Sequence, residues 1–235
     1  ATEAVSEEAA RAAIDIPTLA LLFAFMVVSA QLRLGGFYDW AARRLGALPV
    51  RPPTLLGALI AVAAGLSAVF SNDIVCLAMA PVLAETCLAR RLDPVPFLLA
   101  LACAANIGSA ATLIGNPQNI LIGETLQLSF GGYLAQAALP VGLGLLVTWG
   151  LIGWLTRGRW ALLAGVHTPA PESPLPGAQQ TANAEPGRRL DRWQTAKGLA
   201  IATLLCLGFL LVPWPRDLMA LAGAGILLMS RRLHS

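Results

Sequence analysis

Charge is what this chain has least of. Asp, Glu, Lys and Arg make up 12% of its 235 residues, while 57% are hydrophobic. A soluble domain carries about 25% charged residues. A water-facing globule is therefore excluded, and an all-α polytopic membrane protein is expected. Aromatics are also scarce, at 6%, with only two Tyr and two His. That supply is too small for a base-stacking surface or for extended acid–base chemistry, so neither a nucleic-acid partner nor an enzyme is expected. His167 falls in a polar stretch and His234 at the chain's end, so neither reads as a ligand. Cys76, Cys87, Cys103 and Cys206 lie inside apolar segments and form no CxxC pair. They read as small buried hydrophobes, not as metal or redox groups. The chain begins at Ala1 with no signal-peptide n-region and ends on basic residues just after an apolar helix. A fragment cut from a longer protein at both ends is expected.

What the chain does have is long apolar runs. A first span covers Ile16 to Leu34 and stops at Gly35-Gly36. Residues 37–45 mix aromatics with Arg43 and Arg44, which suits a short helix lying in the headgroup layer. Residues 54–70 and 73–89 are two apolar helices joined only by Ser71-Asn72. Each is about 17 residues, or roughly 26 Å, slightly short of the roughly 30 Å hydrocarbon core. They read either as two tilted spans or as a re-entrant hairpin. Glu85, one turn before Arg90-Arg91, reads as a snorkelled surface charge. The next span starts at Pro94-Val95-Pro96, breaks at Gly115 and resumes from Pro117 to Glu124. Leu128 to Ala138 reads as a second interfacial stretch, and Pro140 to Leu155 as a span. Residues 161–195 are rich in Pro, Gly and Ser and read as a flexible linker. Two more spans follow, near Ala196–Val212 and Arg216–Met229. The expected divisions are 1–160, 161–195 and 196–235.

Lys and Arg set the expected orientation, because cytoplasmic loops collect them. With the loop after the first span inside, fourteen of the 16 basic residues fall in the cytoplasm, and only Arg11 and Arg216 fall outside. The linker is then cytoplasmic in a multi-pass protein of the inner (plasma) membrane, with the lipid bilayer as its solvent. This count requires 54–89 to return to its starting side, which a hairpin and two full spans both do.

The two polar breaks point to function. Ser71-Asn72-Asp73 interrupts the run from Pro53 to Leu88, and Gly115-Asn116-Pro117-Gln118-Asn119 interrupts the run from Val95 to Gly123. In lipid every backbone polar group must be satisfied internally, so a break at depth survives only in protein or beside a cavity. Paired breaks are the best sequence pointer to a transporter's binding site. Gly115 suits the left-handed position after a helix end. Asn116 suits an N-cap and Pro117 the first helical position. The second half-helix then aims its N-terminus into the membrane, where its free N–H groups favour an anion. Ser71 or Asn72 is expected to cap the helix beginning near Asp73. Oxygens of Ser71, Asn72, Gly115 and Asn116 are hard donors suited to Na⁺. Asp73 is an intramembrane carboxylate, a candidate for Na⁺ or H⁺ coupling. Its bland alternative is a helix N-terminal charge satisfied by local N–H groups. Asn106 and Ser109 share a helix face, and Thr112 follows them. These three read either as site residues or as part of a small-residue packing cluster with Gly108, Ala110 and Ala111.

At these residues the chain resembles a known group. Ser71-Asn72-Asp73 followed by a helix, then the stretch from Ala105 to Asn119, resembles the ion transporter superfamily. That superfamily includes the citrate-transporter-like, arsenite-pump and sodium/proton-antiporter families and the divalent-anion/sodium symporters. The resemblance covers residues 15–160 and extends less far into the last two spans. It implies two inverted repeats, each with a re-entrant hairpin and a discontinuous helix. Residues 54–89 are then a hairpin, 196–235 open a second repeat, and the chain holds half of a binding site. It also implies a secondary transporter of a small anion, a carboxylate or inorganic oxyanion, coupled to Na⁺ or H⁺, with a homodimer as the assembly. Departures are visible. Asp73 stands where the dicarboxylate symporters carry Thr, which is closer to the arsenite and sodium/proton branch. Asn116 replaces an Asp or Thr, and Gln118 a common Pro. A sodium/proton antiporter or arsenite permease is the alternative reading, and a non-transporting membrane scaffold the second.

Overall fold

A computed structural model describes residues 15–161, 190–212 and 214–229. Among the described residues there are nine α-helices and no strand. They are α1 (Ile16–Leu34), α2 (Phe37–Gly46), α3 (Pro52–Val69), α4 (Asn72–Ala89) and α5 (Pro94–Ser109), then α6 (Pro117–Thr125), α7 (Phe130–Leu155), α8 (Arg192–Leu211) and α9 (Arg216–Met229). Five of them, α1, α3, α4, α7 and α8, are long and apolar enough to cross a membrane. The chain is a multi-pass membrane protein. The first span has the expected bounds, set by Asp15 at the N-cap and Gly35 at the C-cap.

The core lies where α3 and α5 run side by side in the same direction, Gly108 lying at Ala64 and Thr112 at Ala68. A Cβ added at Gly108 would sit 2.3 Å from the Ala64 Cα, so the two backbones approach as small residues allow. Leu56, Leu59 and Ala63 of α3 and Phe97, Ala100 and Ala104 of α5 are fully buried. Asp93 caps α5 by accepting from the Val95 N–H at 3.0 Å.

Two expectations need correction, and a third gains a protein contact. The helix at 37–45 forms as α2 and packs against protein along one side. Tyr38 and Ala42 are fully buried, and α2 packs lengthwise along α4. Its first turn meets the end of α3, with the Tyr38 and Phe70 rings 6.2 Å apart. Its last residue is Gly46, where a Cβ would stand 2.0 Å from Thr86 Cγ2. Arg90 closes this corner by donating to the carbonyls of Gly46, Leu48 and Val50 at 3.0, 3.1 and 3.2 Å. The amphipathic pattern thus serves a protein face.

The interfacial stretch and span expected on either side of Pro140 form one 26-residue helix, α7. Pro140 removes a single backbone bond, whereas a break would expose several polar groups to an apolar surround. Finally, α8 starts at Arg192, inside the expected 161–195 linker. Asp191 caps it by accepting from the N–H groups of Trp193 at 3.0 Å and Gln194 at 3.1 Å. Residues 162–189 of that linker lie outside the described residues.

Candidate functional site

The first break separates α3 from α4. Phe70 leaves the helix in extended geometry, and its N–H donates to the Leu66 carbonyl at 2.8 Å. Ser71 takes the N-cap position of α4, and its carbonyl accepts from the Val75 N–H at 3.1 Å. Neither Ser71 nor Asn72 caps α4 with its side chain, contrary to expectation. Asn72 is already helical, and its Nδ2 donates across to Asn106 Oδ1 at 2.8 Å. The Ser71 N–H points at Ser29 Oγ of α1, 3.4 Å away. Asp73 is exposed and makes no hydrogen bond or ion pair among the described residues.

The second break is longer than expected. Helix α5 ends at Ser109, six residues before Gly115. The Ala110 and Ala111 amides turn tightly onto the carbonyls of Ile107 and Gly108 at 3.2 and 3.0 Å. Gly115 has no left-handed φ; it is required by close approach, because a Cβ there would stand 2.2 Å from the Ser109 carbonyl oxygen. Asn116 caps α6 as its residue type predicts, accepting from the Asn119 N–H at 2.8 Å. Its Nδ2 donates to Ser109 Oγ at 3.1 Å, and that hydroxyl donates to the Asn106 carbonyl at 2.8 Å. Asn119 Nδ2 reaches the carbonyls of Thr112 at 2.8 Å and Ser109 at 3.3 Å. Thr112 donates to the Ala68 carbonyl at the end of α3 and accepts from the Ile114 N–H. Gln118 is exposed and joins none of these bonds.

A cavity of about 230 Å³ separates the two breaks from α1. Ser71, Asp73, Gly115, Asn116 and Pro117 line one side, and Leu22, Phe25 and Met26 from the middle of α1 line the other. The structure therefore gathers five of the eleven candidate residues around one space. Asn72 and Asn106 bridge the breaks beside it, while Ser109, Thr112 and Asn119 form the network behind. Of the four Na⁺ candidates, Ser71, Gly115 and Asn116 share the cavity, and Asn72 does not line it. Two helix N-termini, those of α4 and α6, open here and favour negative charge. Side-chain oxygens of Ser71, Asp73 and Asn116 offer hard donors to a cation.

The family of citrate transporters has a model that matches residues 1–235. The chain belongs to that family. A silicon efflux transporter of rice, LSI3, is 40% identical over 143 residues, which are 60% of this chain and 30% of the relative. A 46 kDa membrane protein of Mycobacterium leprae is 30% identical over 228 residues, 94% of this chain and 50% of the relative. The human P protein is 36% identical over 152 residues, 62% of this chain and 18% of the relative. The chain thus spans half or less of the length of these relatives.

For this citrate-transporter-family chain, residue types alone missed two long-range contacts of the break helices. Ser29 looks like any small residue on an apolar helix; only the fold brings it to Ser71. Arg216, counted as an exception to the basic-inside pattern, pairs with Glu124 at 3.2 Å. A basic residue on the poor side of such a count is a usable signal for an acidic partner.

Proposed function

We propose that the full-length protein is a secondary active transporter of a small anion, a carboxylate or inorganic oxyanion, coupled to Na⁺ or H⁺. Residues 1–160 form its first transport unit, with a cytoplasmic linker leading to α8 at Arg192. The region 196–235 opens a second, inverted unit. The observation that carries this reading is the meeting of the two breaks. They are tied by Asn72–Asn106 and share one cavity with two helix N-termini and an unpaired carboxylate.

Depth supports a re-entrant hairpin at 54–89. The α3–α4 turn meets α1 between Leu22 and Ser29, about 10–20 Å short of the Ile16 end at 1.5 Å per residue. The chain reverses there, whereas α6 continues outward for about 13 Å beyond the same level. Irregular backbone at this depth is tolerated where protein or a cavity receives it. The N-termini favour the anion, and Asp73 beside them holds either a proton or a neighbouring cation.

The test is flux in proteoliposomes of the full-length protein. Labelled carboxylates, phosphate and silicate, the last chosen because a relative is named for silicon efflux, are offered with and without Na⁺ and pH gradients. One class should accumulate only under a gradient. Asp73→Asn keeps the shape and removes the charge, and should abolish the gradient-driven component at normal expression. Unchanged coupled flux in that variant would reduce Asp73 to a structural role. No flux of any anion in the wild type would sink the reading itself.

A further inference from the structure

We infer that Arg216 is a positioning residue for the binding site, acting through α6 as a rigid lever. This rests on the reading of the α6 N-terminus as part of a ligand site. Helix α6 has nine residues, about 13 Å. One end is Asn116 at the cavity, and the other is Glu124. Arg216, the first residue of α9, grips that outer end with both arms of its guanidinium. Nη1 pairs with Glu124 Oε1 at 3.2 Å, and Nη2 donates to the Leu128 carbonyl. The two side chains are only 22% and 17% exposed.

The other hydrogen bonds at this end are local to it: the Leu128 N–H donates to the Gly123 carbonyl at 3.0 Å and Gln127 Nε2 to the Glu124 carbonyl at 2.7 Å. Within α6 only Ile120 and Gly123 are buried. The residue between the two gripped groups, Gln127, sits at φ 50°, a left-handed conformation rare for a side-chain-bearing residue. Such backbone persists where its surroundings over-determine it. Arg216 supplies contacts on both sides of it, reaching 92 and 88 residues back along the chain. A tilt of α9 is thereby delivered to Asn116 and Pro117. This gives α8 and α9 a mechanical route to the cavity although none of their described residues lines it.

The experiment is thiol labelling in membranes of the full-length protein. Cys76, Cys87, Cys103 and Cys206 are replaced, and a single cysteine is placed at the exposed Gln118, on the first turn of α6. A small water-soluble thiol reagent reads its rate. Arg216→Ala and Glu124→Ala should each change that rate by about fivefold in the same direction, and the double variant should change it no further, as coupled partners require. Arg216→Lys should fall between, because an ammonium can hold Glu124 but lacks the fork that also reaches Leu128. A cysteine at the exposed Ala47, on the far side of α2, should label at the wild-type rate throughout. Unchanged rates at 118, additive effects of the two alanines, or equal changes at 47 would each overturn the proposal. Should Arg216→Ala fail to insert, Glu124→Gln gives the same reading with the shape kept. Labelling needs no transport. A wild type that moves no anion but labels as described removes the transport reading and leaves the lever. The reverse result removes the lever alone.

Discussion

The two helix breaks look alike in sequence and are built differently. The α5–α6 break satisfies itself. Asn116, Asn119, Ser109 and Thr112 bond to one another and to nearby backbone, and Thr112 also reaches α3. The α3–α4 break has no side-chain cap, and its outside bonds are a long one to Ser29 and one from Asn72 to Asn106. Only the second break is self-supporting. The first leans on it. A division of labour follows: a stiff break that holds geometry, and a looser one whose polar groups remain available to a ligand.

The largest effect should come from crowding the stiff break. Gly115→Ala brings a methyl to 2.2 Å from the Ser109 carbonyl oxygen and 2.8 Å from its carbonyl carbon. Those are backbone atoms that cannot rotate away. The expected cost is at or beyond the upper end of the roughly 1–3 kcal/mol seen for overpacking. Most of the monodisperse yield in detergent should disappear. Gly65→Ala is the control: nothing lies within 4 Å of its added Cβ, and alanine favours the helix. Equal yields for the two variants would break the comparison at its root.

Sequence alone reaches the local parts of this arrangement and stops where contacts become long-range. The bounds of α1, the Asn116 cap and the turn at Ser71 follow from residue types acting on their neighbours in the chain. The end of α5 does not. Ala110 to Ile114 suits a helix, and the chain leaves it because Asn119, Thr112 and Gly115 satisfy the backbone in another way. Pro140 illustrates the opposite error. It signals a stop locally, yet α7 continues because its apolar surround makes an opened backbone costlier than one lost bond. Arg90 and Arg216 were legible only as charges. Their roles as a carbonyl clamp and an ion-pair fork depend on partners 40 or more residues distant.

A middle-sized effect should come from uncapping. Asn116→Ala loses the bond from the Asn119 N–H and the bond to Ser109, for about 1–2 kcal/mol. Asn116→Asp keeps the cap acceptor and loses the donor, so it should recover part of the loss. Asn72→Ala removes one bond between two partly accessible amides and should cost about 0.5–1.5 kcal/mol. Thermal midpoints in one detergent rank the three. Asn72→Ala proving more damaging than Asn116→Ala would reverse the order of dependence, making the first break the support of the second.

The smallest effect on stability should be that of Ser71→Ala, and it sharpens the comparison most. Serine at an N-cap ordinarily contributes about 1 kcal/mol through its hydroxyl. Here the Ser71 hydroxyl makes no cap bond, and the tie to Ser29 uses the Ser71 backbone N–H, which alanine retains. The thermal midpoint should therefore stay within the shift expected for about 0.5 kcal/mol, the range of substitutions away from structural features. What alanine does remove is an oxygen lining the cavity. In full-length protein the variant should keep its stability while losing affinity for the coupling ion, read as a higher Na⁺ or H⁺ concentration at half-maximal flux. A drop in midpoint equal to that of Asn116→Ala would mean the hydroxyl does cap α4. Both breaks would then be self-supporting, and the loose one would have no oxygen to spare for a ligand.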